Sequence, residues 1–337
     1  MNKVLCFGEL LLRLSPDMEG EWIESTSIPT YIGGAELNAA TALAQWKVPV
    51  KYVSAIPDSF LSTTILSRLS KKGIDVQDMV LTGNRIGIYY LLQGADLKHT
   101  SVIYDRAASS FSQLQPGQVD WDKVLQDVSW FHFSAISPAL NANVAALCKE
   151  ALQAAAQRNI TISVDLNHRA KLWQYGKEPV DVMPELVQYC DVIMGNIWAA
   201  EAMLRIPIAA AFNRAEKTSC LEQAERTSAS IIQHYPKCSQ VANTFRFDQE
   251  GAITYYAALY KDEKLCVSPQ QHTTRIVDKV GSGDCFMAGL IYGNYHGHTP
   301  QDIIDFAAAA AFNKLFIKGD ATTSTVEDIR KAYLNYA

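Results

Sequence analysis

The chain has 337 residues, 48% hydrophobic and 19% charged, with a net charge of −5 from 30 basic and 35 acidic side chains. That composition supports a large globular core, and the acidic balance argues against a general nucleic-acid binder, which presents a basic face. Apolar runs such as Phe306 to Phe312 fall far short of the roughly 20 residues a bilayer span requires.

From the start, Val4 to Phe7 reads as a short strand, and the acid at Glu9 comes too early for a signal peptide. Residues 11 to 32 contain Pro16, Gly20 and Pro29 and little helical pattern. Ala39, Ala42, Leu43 and Trp46 follow the i, i+3, i+4, i+7 spacing and predict a helix from Ala35 to Trp46. Val50 to Ala55 is strand-like and Ser62 to Lys72 helical. Ile86 to Gln93 and Thr100 to Tyr104 read as strands around a turn. Trp130 to Ser134, Ile162 to Asp165 and Val192 to Met194 are further strands, with helices at Asn143 to Arg158, Asp181 to Tyr189 and Trp198 to Leu204. Residues 207 to 233 read as a longer helical excursion with a polar start. Strand–helix alternation predicts an α/β fold with a largely parallel sheet covered on both faces. The expected core takes residues 1–10, 33–84 and 107–337. Residues 11–32 and 85–106 form a small β lid able to exclude water, or a β extension with no moving part. Seven scattered cysteines, Cys6, Cys148, Cys190, Cys220, Cys238, Cys266 and Cys285, include no Cys-x-x-Cys pair. This argues against zinc and fits reduced thiols in a cytoplasm.

Ligands of open parallel sheets bind beyond the carboxyl ends of the strands, and three motifs stand at such ends or at helix entrances. In Asp278-Lys279-Val280-Gly281-Ser282-Gly283-Asp284-Cys285-Phe286-Met287-Ala288-Gly289, the pattern after Asp284 is helical. Gly281, Ser282 and Gly283 therefore form a flexible loop at a helix N-terminus, where free N–H groups favour an anion. A carboxylate repels a resting phosphate. Asp284 fits such a site if it faces a nucleophile and takes its proton while the loop amides stabilise the transferred group. Taken alone, Asp284 would be only a helix-start acid.

The second motif is Tyr31-Ile32-Gly33-Gly34-Ala35-Glu36-Leu37-Asn38-Ala39-Ala40. Gly33 and Gly34 let a polyol approach the backbone, and Asn38 can donate and accept at one hydroxyl-bearing carbon. Together, the two motifs resemble the N- and C-terminal signatures of the ribokinase-like (PfkB) carbohydrate kinases, with serine at 282 where alanine is usual. The resemblance spans the chain and implies the family's three-layer fold, phosphorylation of a sugar hydroxyl by ATP with Mg2+, and Asp284 as base. It also admits a monovalent cation near the anion loop, for which the sequence assigns no ligands.

The third motif, Asp165-Leu166-Asn167-His168-Arg169-Ala170-Lys171-Leu172-Trp173, resembles a segment of the family's 2-keto-3-deoxygluconate kinases. Their acid substrate needs a cation, and Arg169 can grip a carboxylate bidentately. Tyr104-Asp105-Arg106 resembles the same subgroup's Tyr-x-Arg element, so Tyr104, Arg106 and Arg169 are expected on the acid sugar, with Tyr90 as a further hydroxyl contact. Arg106 could equally be a solvated strand-end charge. His168 reads as a packing or surface residue, and Glu9 and Arg13 as a pair at the lid entrance or as structural residues.

For nucleotide and metal, the family's Asn-x-x-Glu element corresponds imperfectly to Asn196 with Glu201 five residues on. Glu201 reaches the metal through water or is a solvated helix residue. Thr244, Arg246 and Gly251 fall where the family has a phosphate loop, Asn313 borders the adenine, and Asn167 completes the nucleotide candidates. The expected function is ATP-dependent phosphorylation of 2-keto-3-deoxygluconate. The alternatives are a kinase for a neutral sugar such as fructose, or for a nucleoside, and a non-catalytic sugar or nucleotide binder. A homodimer through the open lid edge is a further expectation.

Overall fold

The computed structural model describes residues 2–17, 20–92, 102–249 and 251–336. The central sheet has ten strands. Nine run in the order Lys264–Val267, Ala252–Lys261, Gln240–Gln249, Val192–Gly195, Thr161–Asp165, Val128–Ser134, Lys3–Phe7, Val50–Val53 and Ile74–Asp75, and Gln271–Thr273 also pairs with Ala252–Lys261. Gln240–Gln249 through Ile74–Asp75 are parallel, and the remaining pairings are antiparallel.

Strands buried on both faces carry continuous apolar runs, and Val4, Leu5, Cys6 and Phe7 are all fully buried. Alternation sends Val4 and Cys6 to one core, with the helices Ala35–Gln45, Ser282–Tyr295 and Pro300–Lys314. Leu5 and Phe7 join the other, with Ala142–Gln157 and Pro179–Val187. These are the three expected layers.

Two stretches differ from expectation. The helix expected over 207 to 233 begins only at Lys217 and runs to His234; residues 207 to 216 do not join it. Residues 243 to 251, expected as a phosphate loop, lie mostly in the Gln240–Gln249 strand and the turn that leads into Ala252–Lys261. Phe245 and Tyr256 stack there with ring centroids 5.0 Å apart, giving this edge its own core.

A second sheet has the order Thr30–Gly33, Leu11–Leu14, Gly87–Tyr90, Ile103–Asp105. Its strands come from the two segments expected to form the lid. They are shorter than expected, and of the predicted spans Gln93 and residues 100 and 101 lie outside the described residues. Leu11, Tyr89, Leu91, Val102 and Val280 form one cluster, so the small sheet packs on the loop before Gly281.

All seven cysteines are free thiols. Among the described residues, no helix is long and apolar enough to cross a membrane.

The Ser282–Tyr295 and Pro300–Lys314 helices pack backbone to backbone. A Cβ on Gly289 would lie 2.6 Å from Ala307 Cα, and one on Gly293 2.7 Å from Ile303 Cγ1. Overpacking at such a crossing typically costs about 1–3 kcal/mol. Gly289→Val should lower the unfolding free energy by that amount, read by tryptophan fluorescence as a lower urea midpoint with little change in the slope.

Candidate active site

The carboxyl ends of the parallel strands and the N-terminus of the Ser282–Tyr295 helix border a cavity of about 430 Å³. It is lined by Gly34, Asn38, Tyr104, Arg106, Asn167, Arg169, Asn196, Thr244, Arg246, Gly281, Ser282, Gly283 and Asp284, all singled out from the sequence.

Gly281 caps the helix with φ of 78°, and a Cβ there would lie 1.7 Å from the Asp320 carbonyl oxygen, so only glycine fits. Ser282 turns inward, and its hydroxyl donates to the Ala311 carbonyl at 2.8 Å. The serine therefore anchors the loop to the neighbouring helix. Gly283 is exposed to the cavity and has open space where a Cβ would stand. The first amides of the helix lack intrahelical acceptors, which makes this end an anion site.

Asp284 lies in the first turn and lines the cavity. Asn38 donates to its Oδ2 at 2.7 Å. Burial pushes its carboxyl up to about 7; Asn38 opposes the shift, Asp165 and Glu36 add to it, and Arg169 opposes it. A carboxylate near neutrality suits proton abstraction at physiological pH. Asn38 thus orients the Asp284 carboxyl, and its own buried Oδ1 has no hydrogen-bond partner among the described residues. Glu36 is buried, accepts from the Ser134 amide at 2.9 Å and hydroxyl at 2.6 Å, and is itself raised to about 7 by burial.

Gly34 takes φ of 130°, and a Cβ would lie 2.2 Å from the Glu9 carbonyl oxygen. Gly33, expected at the substrate, does not line the cavity; the space its Cβ would take is filled by the Asp320 carboxylate at 2.2 Å.

The expected Glu9–Arg13 pair is not formed. Glu9 accepts from Arg106 Nε at 2.6 Å and from the Ser109 hydroxyl. Arg13 instead binds Asp278 at 2.6 Å and Asp320 at 2.9 Å. Arg106 therefore borders the cavity with its charge already neutralised, 5% exposed. Arg169 is partly exposed, and its Nη1 donates only to the His168 carbonyl at 3.0 Å. Of the two expected arginines, Arg169 is the one without a carboxylate partner among the described residues. Tyr90 also points away from the cavity. Strand alternation puts Tyr89 on that side, where its hydroxyl donates to Asp320 at 2.6 Å. His168, expected as a packing or surface residue, lines the cavity beside Arg169.

At the other end, Asn196 caps the Ile197–Leu204 helix by accepting from the Ala199 amide at 2.9 Å. Thr244 and Arg246 share the cavity face of their strand, and Arg246 pairs with Asp248 at 3.1 Å. Sequence reasoning missed Lys279, Arg214 and Trp198 here. Lys279 pairs with Asp248 at 2.9 Å, and the Arg214 guanidinium lies 4.9 Å over the Trp198 ring. Lys279 stood inside a quoted motif as an unclaimed cation. Arg214 stood in a polar stretch with no periodic signal.

Besides Gly33 and Tyr90, three expected residues lie off the cavity. Glu201 is on the exposed side of its helix, where Ile208 N donates to it at 3.5 Å; five helical positions after Asn196 rotate it by roughly 140°. Gly251 sits at the hairpin turn with φ of 80° and serves the turn. Asn313 accepts from the Ser324 hydroxyl at 2.5 Å and holds the C-terminal segment. No group of three His, Cys, Asp or Glu side chains able to hold a metal occurs among the described residues.

The raised Asp284 has a stability consequence. Its folded value of about 7 lies above the ordinary unfolded value of about 4. Between those values the folded chain keeps a proton that the unfolded chain has lost, so this group's contribution falls as pH rises from about 4 to about 7. Asp284→Asn removes that penalty. The variant should melt above the parent at about pH 8, with the difference shrinking toward pH 4–5, as read by differential scanning calorimetry.

Residues 1–325 match the pfkB family of carbohydrate kinases. A 2-dehydro-3-deoxygalactonokinase of Haloferax volcanii is 27% identical over 98% of this chain and 96% of its own length. A 2-dehydro-3-deoxygluconokinase of Bacillus subtilis is 25% identical over 93% and 90%. The crystal structure of a Thermotoga maritima 2-dehydro-3-deoxygluconokinase superposes with a TM-score of 0.89, at 32% identity over 99% of this chain and 100% of that one. A glycine-capped anion site with a near-neutral acid beside it, at the ends of a parallel sheet, is thus found in a chain that belongs to the pfkB family of carbohydrate kinases.

Proposed function

We propose that this chain transfers the γ-phosphoryl group of ATP to a hydroxyl of a 2-keto-3-deoxy acid sugar, most simply 2-keto-3-deoxygluconate. The observation that carries the substrate class is Arg169: a cavity-facing guanidinium with no carboxylate partner among the described residues, close enough to Asp284 to act on its charge. A neutral sugar offers such a cation only uncharged hydroxyl oxygens, whereas a sugar carboxylate takes its planar fork. Named relatives act on both the gluco and galacto keto acids, so the configuration of the remaining hydroxyls is the finer choice within this class.

In this reading the keto acid lies between Gly34 and Arg169, with Tyr104 over it and Asn38 Oδ1 accepting from a second hydroxyl. Asp284 takes the proton of the attacking hydroxyl, and the amides at Gly281–Gly283 stabilise the charge on the transferred group. Lys279, Arg246, Thr244 and Asn196 face the nucleotide phosphates, and Trp198 with Arg214 flanks its far end. Mg2+ would arrive on the nucleotide and be held mainly by phosphates and water, neutralising the β- and γ-oxygens when bound. The fit of this end rests on its three cations and the helix N-terminus at Asn196. The small sheet covers the sugar side and serves to exclude water. Its outer strands leave edges suited to a second copy, with Ile103 63% exposed on one of them. Free buried thiols suit a cytoplasmic setting.

Coupled-enzyme assays should show 2-keto-3-deoxygluconate or its galacto epimer turned over with kcat/KM at least ~10²-fold above fructose, ribose and adenosine, in the range expected when a polar group of the site loses its partner. Good turnover of fructose without the keto acids would rule out the assignment of Arg169. Arg169→Ala should raise KM for the keto acid ~10–100-fold with a smaller effect on kcat. Asp284→Asn should reduce kcat ~10³-fold or more while sugar binding persists. The parent's kcat/KM should rise with pH through about 7 as Asp284 loses its proton.

A further inference from the structure

The Pro300–Lys314 helix ends in a lysine that solvent does not reach: Lys314 is 0% exposed. Fully buried lysines are rare unless their charge is used. Its Nζ donates to the Ile317 carbonyl at 2.9 Å, just beyond its own helix, where the C-terminal dipole favours a cation. Its stem passes directly beneath the anion loop, since a Cβ on Gly281 would stand 3.5 Å from Lys314 Cε.

The influences on it oppose one another, and burial, the largest, leaves the ammonium less favoured than in water. Burial disfavours the ammonium, the Asp278 and Asp320 carboxylates favour it, and Arg13 opposes it. Arg13 and Lys314 face Asp278 and Asp320, two cations against two carboxylates, in a cluster beneath Gly281. Without Lys314 the cluster would carry a net negative charge under amides meant to hold an anion. A dissociable monovalent cation here would need backbone and carboxylate oxygens as ligands, and the Ile317 carbonyl is already taken by the ammonium.

We propose that Lys314 is a built-in cation that positions and charge-balances the Gly281–Gly283 loop, so that phosphoryl transfer in this chain needs no dissociable monovalent cation. This rests on the reading of that loop as the anion hole. Lys314 is a positioning residue; it acts through the loop and touches no substrate.

The test uses the full chain with tetramethylammonium as the sole monovalent cation, then adds K+, Na+ or NH4+ to about 100 mM, a range over which surface electrostatics are already largely screened. Wild-type kcat should change less than about twofold. Lys314→Met should lose ~10-fold or more in kcat with KM for the sugar little changed, a loss below that of deleting a direct oxyanion donor because the charge acts through space. NH4+ or K+ should recover part of that loss, and K+ should raise the melting temperature of Lys314→Met but not of wild type. Activation of wild type by K+ overturns the proposal, as does full activity of Lys314→Met, or a loss that no cation recovers. If Lys314→Met fails to fold, the wild-type salt series decides alone. If no sugar is phosphorylated in any salt, the kinase reading fails instead, and a K+-dependent rise in wild-type melting temperature would still refute the internal cation.

Discussion

One buried guanidinium ties the small sheet to the loops on either side of the Gly281 turn. Arg13 arises from the small sheet, is 2% exposed, and reaches both Asp278 and Asp320. Asp278 in turn accepts from the Val280 amide at 3.0 Å and the Gly319 amide at 3.0 Å. The loop entering Gly281 is thereby fixed from three sides, and the Tyr31 ring covers the guanidinium at 4.4 Å. Breaking such a pair by removing one partner leaves an uncompensated buried charge, typically at about 3–5 kcal/mol. The anion loop, the acid that follows it and the sugar-side strands all take their positions from this contact.

The rest of the site separates charges that would otherwise cancel. Glu9 neutralises Arg106, Asp248 draws Arg246 and Lys279 together, and Asn38 holds Asp284. Among the described residues, Arg169 faces the cavity at one end without a carboxylate partner, and the helix amides face it in the middle. Asp284 sits between them, with its carboxyl raised by its surroundings. Phosphoryl transfer asks little covalent chemistry of a protein and much positioning. An acid near neutrality beside preorganised amides supplies that positioning without leaving a permanent carboxylate charge against the incoming phosphate.

The fold was largely legible in the sequence because its parallel strands are short apolar runs flanked by periodic helices. That Gly281, Gly283, Asp284 and Asn38 meet at one cavity was legible as well, since a glycine loop opening a helix beyond the strand ends leaves room for a ligand. Residues whose role depends on distant partners were not. Arg13 reads as an ordinary strand residue until Asp278 and Asp320 are brought to it across more than 260 positions. Arg106 looked like a substrate ligand because Glu9 lies 97 positions away. Tyr90 and Tyr89 exchanged places because one residue of register reverses which face a side chain takes. Gly251 answered a composition pattern but met a hairpin's need for positive φ. Lys314, at the end of an apolar helix, gave no sign that it is buried.

The central claim is that Asp284 and Arg169 grip opposite parts of one acid sugar. The most direct measurement is a crystal structure with 2-keto-3-deoxygluconate and a non-hydrolysable ATP analogue. The account predicts the sugar carboxylate on the Arg169 guanidinium and one hydroxyl within about 3 Å of an Asp284 oxygen, aimed at the γ-phosphate. A sugar whose carboxylate faces solvent, or whose hydroxyls all lie beyond hydrogen-bond reach of Asp284, would contradict it.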